Sequence, residues 1–291
     1  MSEPLLPTTA AMVPPVTRRG RLRIAIRRKQ TAFRIVVVTV VGAFFLIPLL
    51  SLLDFSTRLR NNTRTGEAWS MVFSIATASD DASQKVRTGL LNSLALVGLT
   101  VVLMLALLVP TMTWIRLRVP QLRRSVEFIC LLPLTIPAIV LVVGLAPIYR
   151  GISGILNTDA IWLCFAYAVL VLPFAYRALD AGLEAIDVKT LAEAARSLGS
   201  SWTGVIWRIV LPNIRTAVIS ACFISLALVL GEFTVASLLN RTNLQTSILL
   251  VSQQDARFAT ALALIAIVIG FALLFMLSFF GRSRSTGRSE R

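Results

Sequence analysis

Apolar residues in this chain gather into blocks roughly as long as an α-helix needs to cross the hydrocarbon of a bilayer, about 20 residues. The blocks fall at Phe33–Leu53, Thr88–Val109, Ser125–Tyr149, Ala160–Ala178, Ile214–Thr234 and Phe258–Phe280. Hydrophobic residues make up 56% of the sequence and charged residues 15%, proportions far from those of soluble domains. The predicted fold is therefore an all-α membrane protein with six transmembrane helices. The first block follows a basic stretch, as a signal peptide would. It exceeds an ordinary signal core, and Asp54-Phe55-Ser56 follows it in place of a small-residue cleavage site, so it is read as a signal-anchor helix. Pro133, Pro137 and Pro147 in the third block would break a soluble helix, but are tolerated where neighbouring helices satisfy the freed carbonyls, which predicts a span inside the bundle. Gly42, Gly98, Gly144, Ala166 and Ala227 are candidates for close helix approach.

A formal net charge of +15 would suggest nucleic acid in a soluble protein, yet here the 29 basic residues flank the apolar blocks. Of those 29, the amino-terminal segment, the 110–124 and 177–215 loops and the stretch after Phe280 hold 21. Basic residues concentrate on the cytoplasmic side of spanning segments, so both termini are expected there. The organisation that follows is a cytoplasmic basic tail over 1–32, proline-rich in its first 17 residues and expected to be disordered; a transmembrane domain over 33–281; and a cytoplasmic basic tail over 282–291. No nucleic-acid partner is expected.

Chemistry is narrowly bounded. Histidine is absent, which removes the usual general base and the commonest metal ligand. Cys130, Cys164 and Cys222 lie singly in apolar blocks and give neither a disulfide framework nor metal-ligand spacing. No phosphate-binding G-x-x-x-x-G-K-[ST] loop can be built around Lys29, Lys85 or Lys189, since none follows a glycine. The chain reads as non-enzymatic, without metal or cofactor of its own.

Between the fourth and fifth blocks lies Asp180–Arg215, where Leu183, Ile186, Leu191, Ala194, Ala195 and Leu198 recur at helical spacing. Gly199 stands where a left-handed cap is wanted, and Ser200 or Ser201 can cap a second helix beginning near Trp202, so a helix-turn-helix is predicted outside the bilayer. Glu193-Ala194-Ala195, then Gly199, then Ile209, Leu211 and Pro212 match every fixed position of E-A-A, three residues, G, nine residues, I-x-L-P. This string resembles the EAA loop of the permeases of binding-protein-dependent ABC importers. Physically, two alanines admit a partner's groove, the glutamate offers a charge to an arginine, and the glycine sets the exit angle. Asn92-Ser93 and Leu132-Pro133 followed by Ile136-Pro137 are also similar to stretches of these permeases.

The resemblance covers roughly residues 33 to 281. It implies a bacterial inner-membrane protein in which the EAA segment is a cytoplasmic coupling helix seated in a separate ATPase dimer. ATP and Mg are then bound by that partner, a second permease subunit completes the membrane pair, and an extracytoplasmic binding protein delivers the solute. Glu232, in Gly231-Glu232-Phe233 near the outer end of the fifth block, is the ionisable group most suited to a pathway. It can line the route, or sit at the interface paired with Arg241 or another polar group. The surrounding Leu230–Leu239 is similar to the branch that imports polyamines, ferric iron, phosphonate, thiamine, sulfate and molybdate; a carboxylate tilts the choice toward polyamines. Asp54 and Glu127, at block ends, are read as structural. A six-span secondary transporter or channel is the alternative class, but it should show an inverted repeat and charges at mid-membrane depth, and neither is found.

The charge asymmetry gives a direct expectation. In intact cells, a cysteine at Thr65 should react with a membrane-impermeant maleimide and one at Ser285 should be protected; the reverse pattern would overturn the six-span orientation.

Overall fold

The computed structural model describes residues 18–59, 61–151, 154, 157 and 159–282. Of the tail expected to be disordered over 1–32, residues 1–17 lie outside the described residues and 18–32 are helical instead; residues 283–291 of the second tail also lie outside the described residues. Two compact units divide the chain, Met1–Leu52 and Leu53–Arg291. Among the described residues the secondary structure is helical, apart from an isolated bridge between Arg58 and Arg64.

The first unit is formed by α1, Arg18–Thr57, whose last turn belongs to the second. Its apolar stretch Gln30–Thr57 is 28 residues long, a rise of about 42 Å, more than enough to cross hydrocarbon.

The second unit opens with α2, Glu67–Ser74, and α3, Asp81–Arg118, started by the Asp80 carboxylate accepting from Ser83 N at 2.9 Å. Then come α4, Arg123–Leu131; α5, Ala138–Gly151; and α6, Cys164–Glu184. They are followed by α7, Val188–Ser197; α8, Trp202–Asn213; and α9, Arg215–Gly231. The short α10, Thr234–Leu238, and α11, Leu244–Ser252, lead to α12, Ala256–Arg282. The core runs along α6, whose Tyr167, Val171, Ala175, Leu179 and Leu183 are buried against α9 and α3. A smaller cluster of Val86, Val251, Phe258, Ala259 and Leu262 joins α3, α11 and α12.

Not every apolar block is a straight span. Among the described residues, three helices are long and apolar enough to cross alone: α1 over Gln30–Thr57, Asp81–Arg118 and Ala160–Glu184. The third block is a pair, Pro120–Thr135 and Ala138–Gly151, bent by 102°. Its break has a simple origin: Ile136, preceding a proline, is pushed out of helical geometry to ψ 121°, and Pro137 offers no N–H. The block is therefore a broken helix and not a continuous one. Cys130 and Val142 are buried, whereas Phe128, Ile129, Leu134, Ile139 and Val143 face outward. The fifth block is also part of a bent pair, Trp202–Asn213 and Arg215–Gly231, at 81°. The sixth lies on α12, with its described apolar stretch at Ala256–Ala272.

Close helix approach occurs at other glycines than those expected. Space around Gly98 and Gly144 is open, and Ala227 is exposed; Ala166 is buried as anticipated. A methyl on Gly89 would stand 2.7 Å from the Asn243 carbonyl, and one on Gly182 would collide with Ala217 of α9. One face of α3 therefore receives the loop before α11. Asn92 Nδ2 donates to Thr242 O at 2.9 Å, Leu244 N donates to Ser93 Oγ at 2.8 Å, and Ser247 Oγ donates to Lys85 O at 3.0 Å.

Gly89→Ala should consequently destabilise the detergent-solubilised protein by about 1–3 kcal/mol through overpacking, while Gly98→Ala should be neutral or slightly stabilising. Thermal unfolding of both variants checks this, and equal melting temperatures would refute the tight seat at Gly89.

Candidate functional site

The segment 187–213 forms the predicted helix-turn-helix, with a shifted phase. Asp187 starts α7 by accepting from Thr190 N at 3.2 Å and from Thr190 Oγ1 at 2.7 Å. Those Thr190 donors, the hydroxyl foremost, hold the Asp187 carboxyl below its ordinary range. Because a new helix begins there, the inward stripe is Val188, Ala192 and Ala195, with Leu191 partly covered. The stripe anticipated from a helix continuous with Leu183 does not hold: Ala194 is exposed and Leu198 is 87% exposed. Of the paired alanines only Ala194 is exposed, since Ala195 packs into the core. Glu193 is exposed, 4.0 Å from Lys189.

Gly199 closes α7 with φ +86°, a left-handed conformation that glycine adopts without a Cβ penalty. Gly199 N donates to Arg196 O at 2.9 Å and Ser200 N to Ala195 O at 3.0 Å, the paired bonds of a Schellman cap. Ser201 Oγ then accepts from Gly204 N at 3.2 Å and starts α8. Within α8, Val205–Val210 is a π-helical stretch. Ile209 and Leu211 are half-buried against the core, and Pro212 is exposed at the final turn.

Directly before α7 sits a charge cluster that the sequence reading missed. Arg116 of α3 donates to the Asp180 carboxylate at 2.5 Å and to its carbonyl at 3.1 Å. Arg123 of α4 donates to the same carboxylate at 3.0 Å and pairs with Glu184. Glu127 pairs with Arg177 at 3.2 Å. Asp180 is buried, so its two guanidinium partners are what make the site tolerable; removing one side of such a pair costs about 3–5 kcal/mol. The cluster fastens α3 and α4 to the end of α6, one short turn from the EAA residues. Asp180 read as a loop residue in the sequence; its signal was a lone acid close behind an apolar block on the basic side.

At the other end of α9, the chain leaves the helix at Gly231, and Glu232 is extended at ψ 124°. The Glu232 carboxylate accepts from Val235 N at 2.8 Å and Ala236 N at 3.4 Å, satisfying the first amides of α10. Its carbonyl accepts from buried Asn243 Nδ2 at 2.6 Å, and the same amide nitrogen reaches Tyr167 Oη at 3.1 Å. The sequence reading offered a pathway or an interface position paired with Arg241 or another polar group; the structure gives Glu232 backbone amides as its polar partners and a cavity beside it. The half-buried Glu232 takes a polar partner, the α10 amides, and also borders a cavity of about 330 Å³ with Tyr167, Phe174, Leu228, Phe233 and Thr234. Among the described residues, no group of three or more Cys, Asp or Glu side chains is placed to hold a metal.

Residues 103–284 match the family described as binding-protein-dependent transport system inner membrane component, a stretch that includes both the 187–213 segment and the Glu232 cavity. The chain is 26% identical over 208 residues to a probable molybdenum ABC transporter permease protein of Haloferax volcanii, covering 68% of this chain and 77% of that protein. It is 25% identical over 225 residues to the spermidine/putrescine transport system permease protein PotB of Salmonella typhimurium, covering 70% and 76%. A shorter match, 32% over 117 residues, links it to the chloroplastic sulfate permease 2 of Chlamydomonas reinhardtii, with 37% and 31% covered. With its apolar helices and its matched core, the chain belongs to the inner-membrane permeases of ABC importers, the non-catalytic, multi-pass components of binding-protein-dependent transport systems.

Proposed function

We propose that this chain couples a separate cytoplasmic ATPase to import of a small solute through α7 and the turn that follows it. The observation that carries this reading is the two-sidedness of α7. Glu193 and Ala194 are presented outward, while Val188, Ala192 and Ala195 are embedded in the core. A push on the outward face is passed through that packing to α8 and α3, and α3 is in turn fastened to α6 by the Arg116–Asp180 pair. The partners on this reading are an ATPase dimer that binds ATP and Mg, a second permease subunit and an extracytoplasmic binding protein. Both termini are cytoplasmic, in a bacterial inner membrane, as the basic-residue bias supports.

The solute we favour is cationic, of polyamine type. The support is Glu232 beside Tyr167, Phe174 and Phe233: a carboxylate and aromatic faces in one cavity suit an ammonium group. An anionic cargo is the second reading, favoured by the engagement of the Glu232 carboxylate by two backbone amides and by relatives named for molybdenum and sulfate.

In proteoliposomes holding the complete transporter, Glu193→Lys and Gly199→Val should insert normally but lose uptake at least about tenfold per ATP hydrolysed, the second because a β-branched residue is strained at positive φ. Wild-type uptake by both variants would remove the coupling assignment. Glu232→Gln should lower uptake of labelled spermidine or putrescine at matched ATPase activity, since the amide keeps shape and loses charge. Unchanged polyamine uptake, or active molybdate uptake in its place, would withdraw the cationic reading and leave Glu232 as a helix cap.

A further inference from the structure

Trp202, the first residue of α8, is overlain by two guanidinia. Arg118 lies 4.7 Å and Arg196 4.4 Å from its ring centroid. Arg118 is also 5.8 Å from the Trp114 ring, and the two indoles meet edge to face at 6.1 Å. Attraction to the indole faces gathers two like charges on one exposed patch. Nearby, Arg116, Arg123 and Arg177 each have a carboxylate partner, whereas among the described residues neither Arg118 nor Arg196 enters a salt bridge. Such a patch attracts an anion.

The patch continues into an apolar groove of about 360 Å³ walled by Pro110, Trp114, Leu117, Trp202 and Ile206. Its long wall is the last turns of α3, past the end of the apolar block at Val109 in a helix long and apolar enough to cross a bilayer, a position that suits the interface where tryptophan is enriched. A soluble anion would satisfy the guanidinia and leave the groove empty of a fitting group. An acidic side chain of a partner protein would do the same. An amphiphile with an anionic head and an acyl chain fits both halves.

We propose that Arg118, Arg196 and Trp202 bind the phosphate of an anionic phospholipid whose acyl chain lies along Trp114, Leu117 and Ile206. Basic pockets at membrane-helix ends suit acidic headgroups. Arg118 belongs to α3 and Arg196 to α7, so one lipid bridges the end of a spanning helix to the helix carrying Glu193. This inference needs only the position of the groove at a membrane boundary, and stands apart from the identity of the solute.

The test uses the complete transporter in nanodiscs of mixed phosphatidylglycerol and phosphatidylcholine, followed by native mass spectrometry. The wild type should retain a phosphatidylglycerol molecule. Arg118→Gln with Arg196→Gln should weaken retention about thirtyfold, and Arg118→Gln alone, which leaves α7 untouched, about fivefold. A phosphatidylglycerol with a photoreactive acyl chain should label Trp114, Leu117 or Ile206 in the wild type. Equal retention by wild type and both variants would overturn the proposal. So would displacement of the lipid by millimolar inorganic phosphate, which marks a free-anion site. Loss of the ATPase from the double variant with lipid retention unchanged would assign the patch to the ATPase instead.

Discussion

Hydrocarbon offers no hydrogen bonds, so every backbone group freed by a break in a spanning helix needs a partner from the protein itself. Much of the second unit follows from that constraint. Where α9 stops at Gly231, the Glu232 side chain takes up the amides of α10, and Gln245 Nε2 donates to the Leu230 carbonyl at 2.9 Å. Where α10 stops, Asn240 takes a positive φ of 52°, Arg241 N closes back onto Ala236 O at 2.8 Å, and Asn92 covers the Thr242 carbonyl. Asn243 joins the two ends, capping α11 while bridging Glu232 and Tyr167. The absence of a Cβ at Gly89 lets this loop approach α3 closely enough for Ser93 to reach it.

The opposite end of the bundle is held by charge. Asp180 is shared between Arg116 and Arg123, so α3, α4 and α6 are joined a few residues before α7 begins. A buried pair bonded through fixed guanidinium geometry holds those three helices in register.

What the sequence disclosed divides along a physical line. Local features were legible: the left-handed Gly199, the Ser201 start of α8 and the spacing of the EAA residues depend on neighbours within a turn or two. Apolar blocks were legible because hydrocarbon selects composition over a whole span. Long-range pairings were not. Arg116 and Arg123 stand 64 and 57 residues from Asp180, and nothing local says which arginines fold onto that acid. The proline at 137 was visible, but the size of the bend was not, although Ile136-Pro137 carries the pre-proline restriction that turns the chain. At Glu232 the rarity of the charge drew attention, while its use as a cap required knowing that α10 starts two residues later.

The double engagement of Glu232 has a consequence for how such a cavity diversifies. A residue that holds a helix start cannot be exchanged freely, because any replacement must also receive the Val235 and Ala236 amides. Where this cavity takes the solute, as proposed, selection for a new cargo would meet that obstacle first. Phe174 and Leu228 border the same space from within long helices and carry no capping duty. Substitutions there alter the cavity's width and polarity without loosening α10. Lineages drifting toward new cargo should therefore record their history on α6 and α9, with the acidic corner inherited nearly unaltered.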